Sequence, residues 1–585
     1  MHVHEYGFGA QISTNGTLFR IWAPEHDSLK LELADGPVFD LQPAGEGWFE
    51  VLLEDAKSGT RYRYKLPDGT AAADPAARAQ SSDVHGWSVV VDPTSYVWKH
   101  TEWRGRPWPE MVIYEVHVGI LGGFKNVTER LAMLAALGIT AIQLMPLADF
   151  SGRRNWGYDG VQLFAPAEAY GPLEDLKELI DTAHGLRMNV FLDVVYNHFG
   201  PDGAYIRAFA PQMFRSDIKT PWGDAIDFRK PEVRSFFIEN AIYWLKEYRF
   251  DGLRFDAVHA IESEDFMETA INRIRNTLED ERHVHFVLEN EANDSELLAA
   301  ANITAQWNDD FHNALHVLLT GETHSYYGAF SDKPIEKLAR VLAEGFAYQG
   351  EISPLNGQPR GKPSAHLPAR CFVSFLQNHD QVGNRAKGDR LTTLADPDAL
   401  RAAMTLLLLS PQIPMLFMGE EIGSETPFMY FTDYHDELAK AVREGRNREF
   451  SQDPVVASGV TLDEVPNPNS PETFEASYPA PGPNADKWRE HIHGLLAIRH
   501  SELTHRISET AALECAVLGP KALAARWKLD DKCELAIYLN VDADFVACSP
   551  PRGALLYETG THIASFVREG KLPPLSAAAF LAPPD

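Results

Sequence analysis

The chain predicts a closed (β/α)8 barrel of TIM type, flanked by an N-terminal β-sandwich and a small C-terminal β-domain. Three observations lead there. Eight apolar runs of strand length, most followed by helical sequence, fill the middle of the 585 residues, and eight parallel strands close a barrel. Four of those runs end in polar, ionisable residues, as strands do at the C-terminal mouth of a barrel. Short alternating strands punctuated by turn residues lie on both sides. An open doubly wound sheet would carry a Gly-rich phosphate turn after an early strand, a fingerprint that Gly119, Gly122 and Gly123 do not match.

A chain this long exceeds one ordinary core, so about two to four domains are expected. Lys and Arg number 53 against 83 Asp and Glu, a formal net charge of -30. That balance argues against nucleic acid or an anionic membrane as partner and suits a soluble enzyme on a neutral substrate. Cys371, Cys515, Cys533 and Cys548 lack metal-ligand spacing, and a disulfide framework is not expected at this size. The first residues, Met1-His2-Val3-His4-Glu5-Tyr6, show no basic segment leading into an apolar run, so no secretory leader is read there. No stretch approaches the roughly 20 apolar residues of a membrane span. The cytoplasm is the expected compartment.

In chain order, residues 1–105 read as the sandwich, of the kind that serves as a carbohydrate module. Thr17 to Trp22, Leu29 to Leu33, Trp48 to Val51 and Tyr62 to Leu66 alternate as strands, with turns at Ala34-Asp35-Gly36-Pro37, Ala44-Gly45-Glu46-Gly47 and Pro67-Asp68-Gly69 between them. The connector Trp103-Arg104-Gly105-Arg106-Pro107-Trp108-Pro109 marks a boundary. Residues 106–490 read as the barrel. Its eight runs begin at Met111, Ala141, Asn189, Phe250, Phe286, Ala305, Cys371 and Ile413, and a helix with Leu131, Leu134 and Leu137 on one face lies between the first two. Pro334 to Gly345 reads as a helix, and 440–490, rich in Pro, Asn, Ser and Glu, as a traverse across the surface. Residues 491–585 read as the C-terminal β-domain, with strands at Ala524 to Leu529 and Leu535 to Leu539.

The fourth run, Phe250-Asp251-Gly252-Leu253-Arg254-Phe255-Asp256-Ala257-Val258-His259, carries the chemistry. Strand alternation points Arg254 and Asp256 the same way, and a neighbouring arginine favours an ionised carboxylate. Read alone, the pair is an ion pair at a strand end. But Glu289 ends the fifth run and Asp380 the seventh, so three carboxylates share the mouth and one should rise in pKa. Glu289, after Phe286-Val287-Leu288, is the natural proton donor. An ionised carboxylate opposite a protonated one is the apparatus of glycoside hydrolysis, with the two about 5–5.5 Å apart in retaining enzymes. His198 and His379 suit sugar hydroxyls, and Tyr158 offers a ring to a sugar face. Asp193, His198 and Asp256 are also the residue types of a metal site, but Arg254 already offsets their charge, and neither a catalytic metal nor a cofactor is expected, a structural calcium being left open.

Four segments in order resemble the α-amylase superfamily of glycoside hydrolases: Asp193 to His198, Gly252 to Asp256, Val287-Leu288-Glu289, and Gln377-Asn378-His379-Asp380. The resemblance implies Asp256 as nucleophile, Glu289 as general acid/base and Asp380 as transition-state stabiliser. It implies Tyr158, His198, Arg254 and His379 as contacts to the sugar being cleaved, with Asp193 orienting Arg254. Trp156, His259, Asp309 and Asn384 are further candidates for substrate contact, the loop carrying Trp307 another, and Asn197 a structural support. Within the superfamily, three stretches are similar to the malto-oligosyltrehalose trehalohydrolase family: Gln306 to His316, Gln377 to Arg385, and Met418 to Glu421 with Pro427 to Phe431. That similarity implies a neutral α-glucan, malto-oligosyltrehalose, as substrate with water as co-substrate. Branching and debranching enzymes share the trio and are the alternative, although branching enzymes more often read Ser-His-Asp-Glu where this chain has Asn378-His379-Asp380-Gln381. A catalytically silent glucan-binding protein is a third reading. The third segment continues as Glu289-Asn290-Glu291; register favours Glu289 as the acid, with Glu291 the fallback.

Overall fold

Eight parallel strands pair in sequence order and close on themselves. They are β1 (Ile113–Val116), β2 (Ala141–Leu144), β3 (Asn189–Val194), β4 (Gly252–Phe255), β5 (His285–Leu288), β6 (Ala305–Trp307), β7 (Phe372–Ser374) and β8 (Ile413–Phe417). The computed structural model describes residues 6–300, 302–451 and 464–584. The leader-free reading of residues 1–5 and part of the expected 440–490 traverse, at 452–463, lie outside the described residues.

Every barrel strand is buried on both faces, which is why the runs read as continuous apolar segments rather than alternating ones. Ile113, Ala141, Phe191, Val287, Ala305 and Val373 fill the interior as one apolar cluster. Two residues further along four of these strands, on the same face, stand Glu115, Gln143, Asp193 and Glu289. A polar layer therefore caps the apolar one at the C-terminal mouth.

Helices wrap the barrel: α1 (Phe124–Leu137), α2 (Leu173–Gly185), α3 (Pro231–Lys246), α4 (Phe266–Arg275), α5 (Asp309–Thr320), α6 (Pro334–Glu344), the short α7 (His379–Gly383) and α8 (Pro397–Leu409). In α1, Leu131, Leu134 and Leu137 are buried together, as their spacing predicts. The stretch read as a surface traverse instead opens with a helix, α9 (Asp436–Ser451). Its sequence is too charged to show an apolar stripe, yet acids in its first turn and Arg448 in its last suit the helix dipole.

The N-terminal sandwich has two sheets. One orders Gly9–Ser13, Gly16–Trp22, Trp48–Leu53 and Gln42–Gly45; the other is built around Lys30–Leu33 and Arg61–Lys65. Phe19, Ile21, Leu31, Phe49, Tyr62 and Tyr64 pack between them. The C-terminal sheet begins at Ala511 and has five strands. The expected barrel boundary at 490/491 falls inside a helix, α10 (Ala485–Ile498), which packs against α8. A helix cannot be divided where its buried residues, Ile492, Leu495 and Leu496, face the barrel.

Arg499, directly after α10, is fully buried and donates to the carbonyls of Leu408 (3.0 Å), Ser410 (2.7 Å) and Gln412 (2.8 Å). It ties α10 to the loop entering β8. Arg499→Ala is expected to cost on the order of 3 kcal/mol, because the charge-assisted bonds are lost and three carbonyls stay buried. A thermal midpoint several degrees lower in calorimetry would show it; an unchanged midpoint would refute the role.

Candidate active site

Arg254 stands at the centre of the mouth. Its Nη1 donates to Asp193 Oδ1 and Oδ2, both at 2.8 Å, and to Asp256 Oδ1 at 2.7 Å. Its Nη2 lies 2.8 Å from Glu289 Oε2. One guanidinium thus serves three carboxylates, and it is held over the Trp307 ring at 4.1 Å. Trp307 is 1% exposed and sits on β6 inside the barrel. It does not belong to a substrate loop, as the sequence reading had it; it is the floor under Arg254.

Asp256 and Glu289 follow directly on β4 and β5 and are hydrogen bonded to each other. The sequence reading had Arg254 keep Asp256 ionised and made Glu289 the proton donor. In the substrate-free site the division is reversed. Burial and the neighbouring Glu289 charge push Asp256 well above the carboxylate range. Burial also raises Glu289, but Arg254 and the Ala257 amide overcome it, and Glu289 lies below its ordinary value. The Ala257 N–H reaches Glu289 Oε2 at 2.8 Å because Ala257 adopts a left-handed conformation, φ 41°. Such a conformation is strained for a residue with a Cβ. The two acids titrate as a pair, with proton affinity raised at Asp256 and lowered at Glu289.

Asp380 does not end a strand. It lies in the first turn of α7, well past the end of β7. Asn378 caps that helix, its side chain accepting from the amides of Asp380 (2.8 Å) and Gln381 (3.2 Å). Burial pushes Asp380 up to about 6, opposed by His379 and reinforced by Glu289. Asn384 donates to Asp380 Oδ1 at 2.6 Å. The His379 ring lies against Tyr158, centroids 4.9 Å apart, and beside Trp156. Tyr158 donates its hydroxyl to Asp193 at 2.7 Å, and His198 Nε2 donates to the Tyr158 carbonyl at 2.9 Å. Asn197 is buried, but neither side-chain polar atom finds a partner among the described residues. Its expected supporting role has no hydrogen bond to rest on.

Two cavities meet at these acids. The first, about 560 Å³, is lined by Trp156, Tyr158, His198, Asp256, His379 and Asn384. The second, about 380 Å³, is lined by Asp309, Asn313, Tyr326, Leu355 and Arg360. His259, Glu289, Glu291 and Asp380 line both. Glu291 is solvent-exposed and 3.9 Å from His259, while Glu289 is buried against Arg254. Asp309 accepts from Gln381 Nε2 at 3.1 Å, and burial together with Glu289 raises its pKa. Among the described residues no group of three His, Cys, Asp or Glu is arranged to hold a metal ion.

The sequence reading missed several wall residues. Trp222 sits in the turn between strands Phe214–Thr220 and Gly223–Ile226, 46% exposed, and stacks on His198 at 5.4 Å. A lone Trp beside Gly223 in a polar hairpin was the available signal. Arg446, on α9, lines the first cavity, donates to the Gly383 carbonyl at 2.7 Å and lies over the Tyr430 ring. It was hidden in the charged stretch taken for a traverse. Among the described residues no helix is long and apolar enough to cross a membrane.

A family model described as alpha amylase, catalytic domain, matches residues 76–219. Malto-oligosyltrehalose trehalohydrolase of Rhizobium sp. is 37% identical over 599 residues, covering 96% of this chain and 97% of its own length. That of Saccharolobus solfataricus is 39% identical over 472 residues, covering 78% and 82%. A crystal structure from Salmonella typhimurium, of a protein provisionally named an alpha amylase, aligns with a TM-score of 0.93 at 42% identity, covering 99% of this chain and 100% of that one.

The position of His379 and Asp380 depends on the Asn378 cap. Asn378→Ala is expected to cost about 1 kcal/mol and to speed amide exchange across residues 379–383. Exchange rates identical to those of the parent protein would show that the cap does not hold α7.

Proposed function

The chain belongs to the malto-oligosyltrehalose trehalohydrolase family, and from that membership we propose that it hydrolyses the α-1,4 bond between a maltooligosyl chain and a terminal trehalose, with retention of configuration. The observation that carries the reading is the Asp256–Glu289 pair at the junction of two cavities. A bond cleaved there has a sugar on each side.

The lining gives the polarity. Asp256, Tyr158 and His198 belong to the first cavity alone, so the glycosyl unit to be attacked lies there. Glu289 reaches both, and the second cavity extends away on its far side, toward Tyr326, Asn313 and Asp309. The leaving trehalose belongs in that second cavity, with His259 at the threshold.

In the reaction, Glu289 protonates the glycosidic oxygen while Asp256 attacks the anomeric carbon; water then releases the glycosyl-enzyme with Glu289 as base. This requires the proton on Glu289, whereas the empty site favours Asp256. The hydrogen bond between the two acids supplies the path. A glycosidic oxygen beside Glu289 offers its proton a new acceptor, and positive charge developing at the anomeric carbon favours an ionised Asp256. Substrate binding thus converts the resting tautomer into the reactive one without exchange with solvent. Asp380 and His379 gain strength as the ring flattens, where binding energy accelerates the step.

Incubation with malto-oligosyltrehalose should release free trehalose. Altered branching of amylose with no trehalose would instead establish a branching enzyme with the same acids. Asp256→Asn should lower turnover on the order of 10⁴-fold, by analogy with other catalytic-unit residues, and near-normal turnover would overturn its assignment as nucleophile.

Arg254 also sets the acid limb. Its charge favours the ionised forms of Asp256 and Glu289. Activity needs one of the two protons gone, so it is lost as pH falls through the first ionisation of the pair. Removing the cation raises that ionisation. Arg254→Gln should therefore move the acid limb of kcat/KM upward by about one pH unit or more, against the parent profile in the same buffers. A limb that stays put or moves down would contradict the shared-cation account.

A further inference from the structure

Glu115 lies on β1 and is fully buried. Among the described residues its carboxylate hydrogen-bonds one residue of the site, His379. Oε1 accepts Nδ1–H of His379 at 2.7 Å, and Oε2 accepts the His379 backbone N–H at 3.0 Å. The second bond fixes the main chain at the start of α7 and the first fixes the ring. With Nδ1 committed inward, Nε2 is the nitrogen left for the first cavity, which His379 lines.

A buried carboxylate requires a compensating positive charge. Among the described residues the ion pair of Glu115 is with His379. Arg254, the cation at the centre of the mouth, is already shared by Asp193, Asp256 and Glu289. We infer that Glu115 is a positioning residue for the proposed hydrolysis, holding His379 with Nε2 facing the sugar as a charged donor. The inference rests on the site proposed above but not on the identity of the leaving group.

The other groups around the ring are Asp380 on its own helix, Asp193 on β3, Arg254 on β4, His117 just beyond β1, and Tyr158 against its face. Burial and Arg254 lower the affinity of the ring for a proton; Glu115 and Asp380 raise it, and the balance lies above the ordinary histidine value. A contact that strengthens as the ring of the sugar flattens acts on kcat rather than on KM.

The test is Glu115→Gln, which preserves size but removes the charge and one of the two acceptor oxygens. kcat should fall on the order of 10²-fold, as for loss of one transition-state donor, with KM changed by less than about threefold. Activity that depends on protonated His379 is lost as pH rises through its pKa. Without Glu115 that pKa falls, so the alkaline limb should move to lower pH by about one unit or more. In a His379→Gln background the same substitution should cause no further movement of the limb, and its further loss should be smaller than in the parent, since only the main-chain bond at the start of α7 is left to break. Fully additive losses, a limb that moves again in that background, or an unmoved limb in the single variant would overturn the inference. Glu115→Asp keeps the charge and provides the test if the Gln variant does not fold: its alkaline limb should stay near that of the parent, and a limb displaced downward by a unit would likewise overturn it.

Discussion

One buried cation has to satisfy three carboxylates, and the arrangement at the barrel mouth follows from that constraint. Arg254 reaches Asp193, Asp256 and Glu289 and cannot neutralise all three. The excess negative charge bears on the buried pair Asp256 and Glu289, whose pKa values are pushed in opposite directions. The third acid, Asp193, stays bound to both guanidinium contacts and to the Tyr158 hydroxyl, so it acts as an anchor. The flat face of Trp307 beneath the guanidinium fixes the plane in which these bonds are made.

Beside this cluster lies a second buried charge pair, Glu115 with His379. The two pairs come from opposite sides of the barrel, β1 and α7 in one case, β3, β4 and β5 in the other. Strand alternation places Glu115, Asp193 and Glu289 in one layer above the apolar interior. The polar layer is thus a continuation of the core, and its rigidity comes from the same packing. The walls differ in kind. Trp222 in a hairpin and Arg446 on α9 are contributed by segments inserted outside the barrel repeat.

The barrel strands with Asp193, Arg254, Asp256 and Glu289 were legible in the chain because apolar runs and strand-end polarity are local properties, whereas His198, His379 and Asp380, beyond the strand ends, were read from the motifs that contain them. Asn384 lies in the same readable stretch as Asp380. Arg446 and Trp222 were not legible: a charged helix without an apolar stripe looks like surface, and a lone Trp looks like any other. Trp307 was misplaced for the opposite reason, since an aromatic near the end of a strand reads equally well as loop or floor until the neighbours are known. The 490/491 boundary failed because the helix that crosses it is amphipathic toward the barrel, a relation invisible without the barrel in place.

By itself the sequence determined the eight-strand repeat, the flanking β-domains and the acids that stand at the strand ends, since each depends on residues near one another in the chain. Only the tertiary structure decided how charge is divided among them. Burial and neighbouring charge raise Asp256 and lower Glu289, and Glu115 rather than any residue near His379 in sequence holds its ring. The reason is physical: a proton goes where the sum of burial and surrounding charge is lowest, and that sum runs over groups brought together by closure of the barrel.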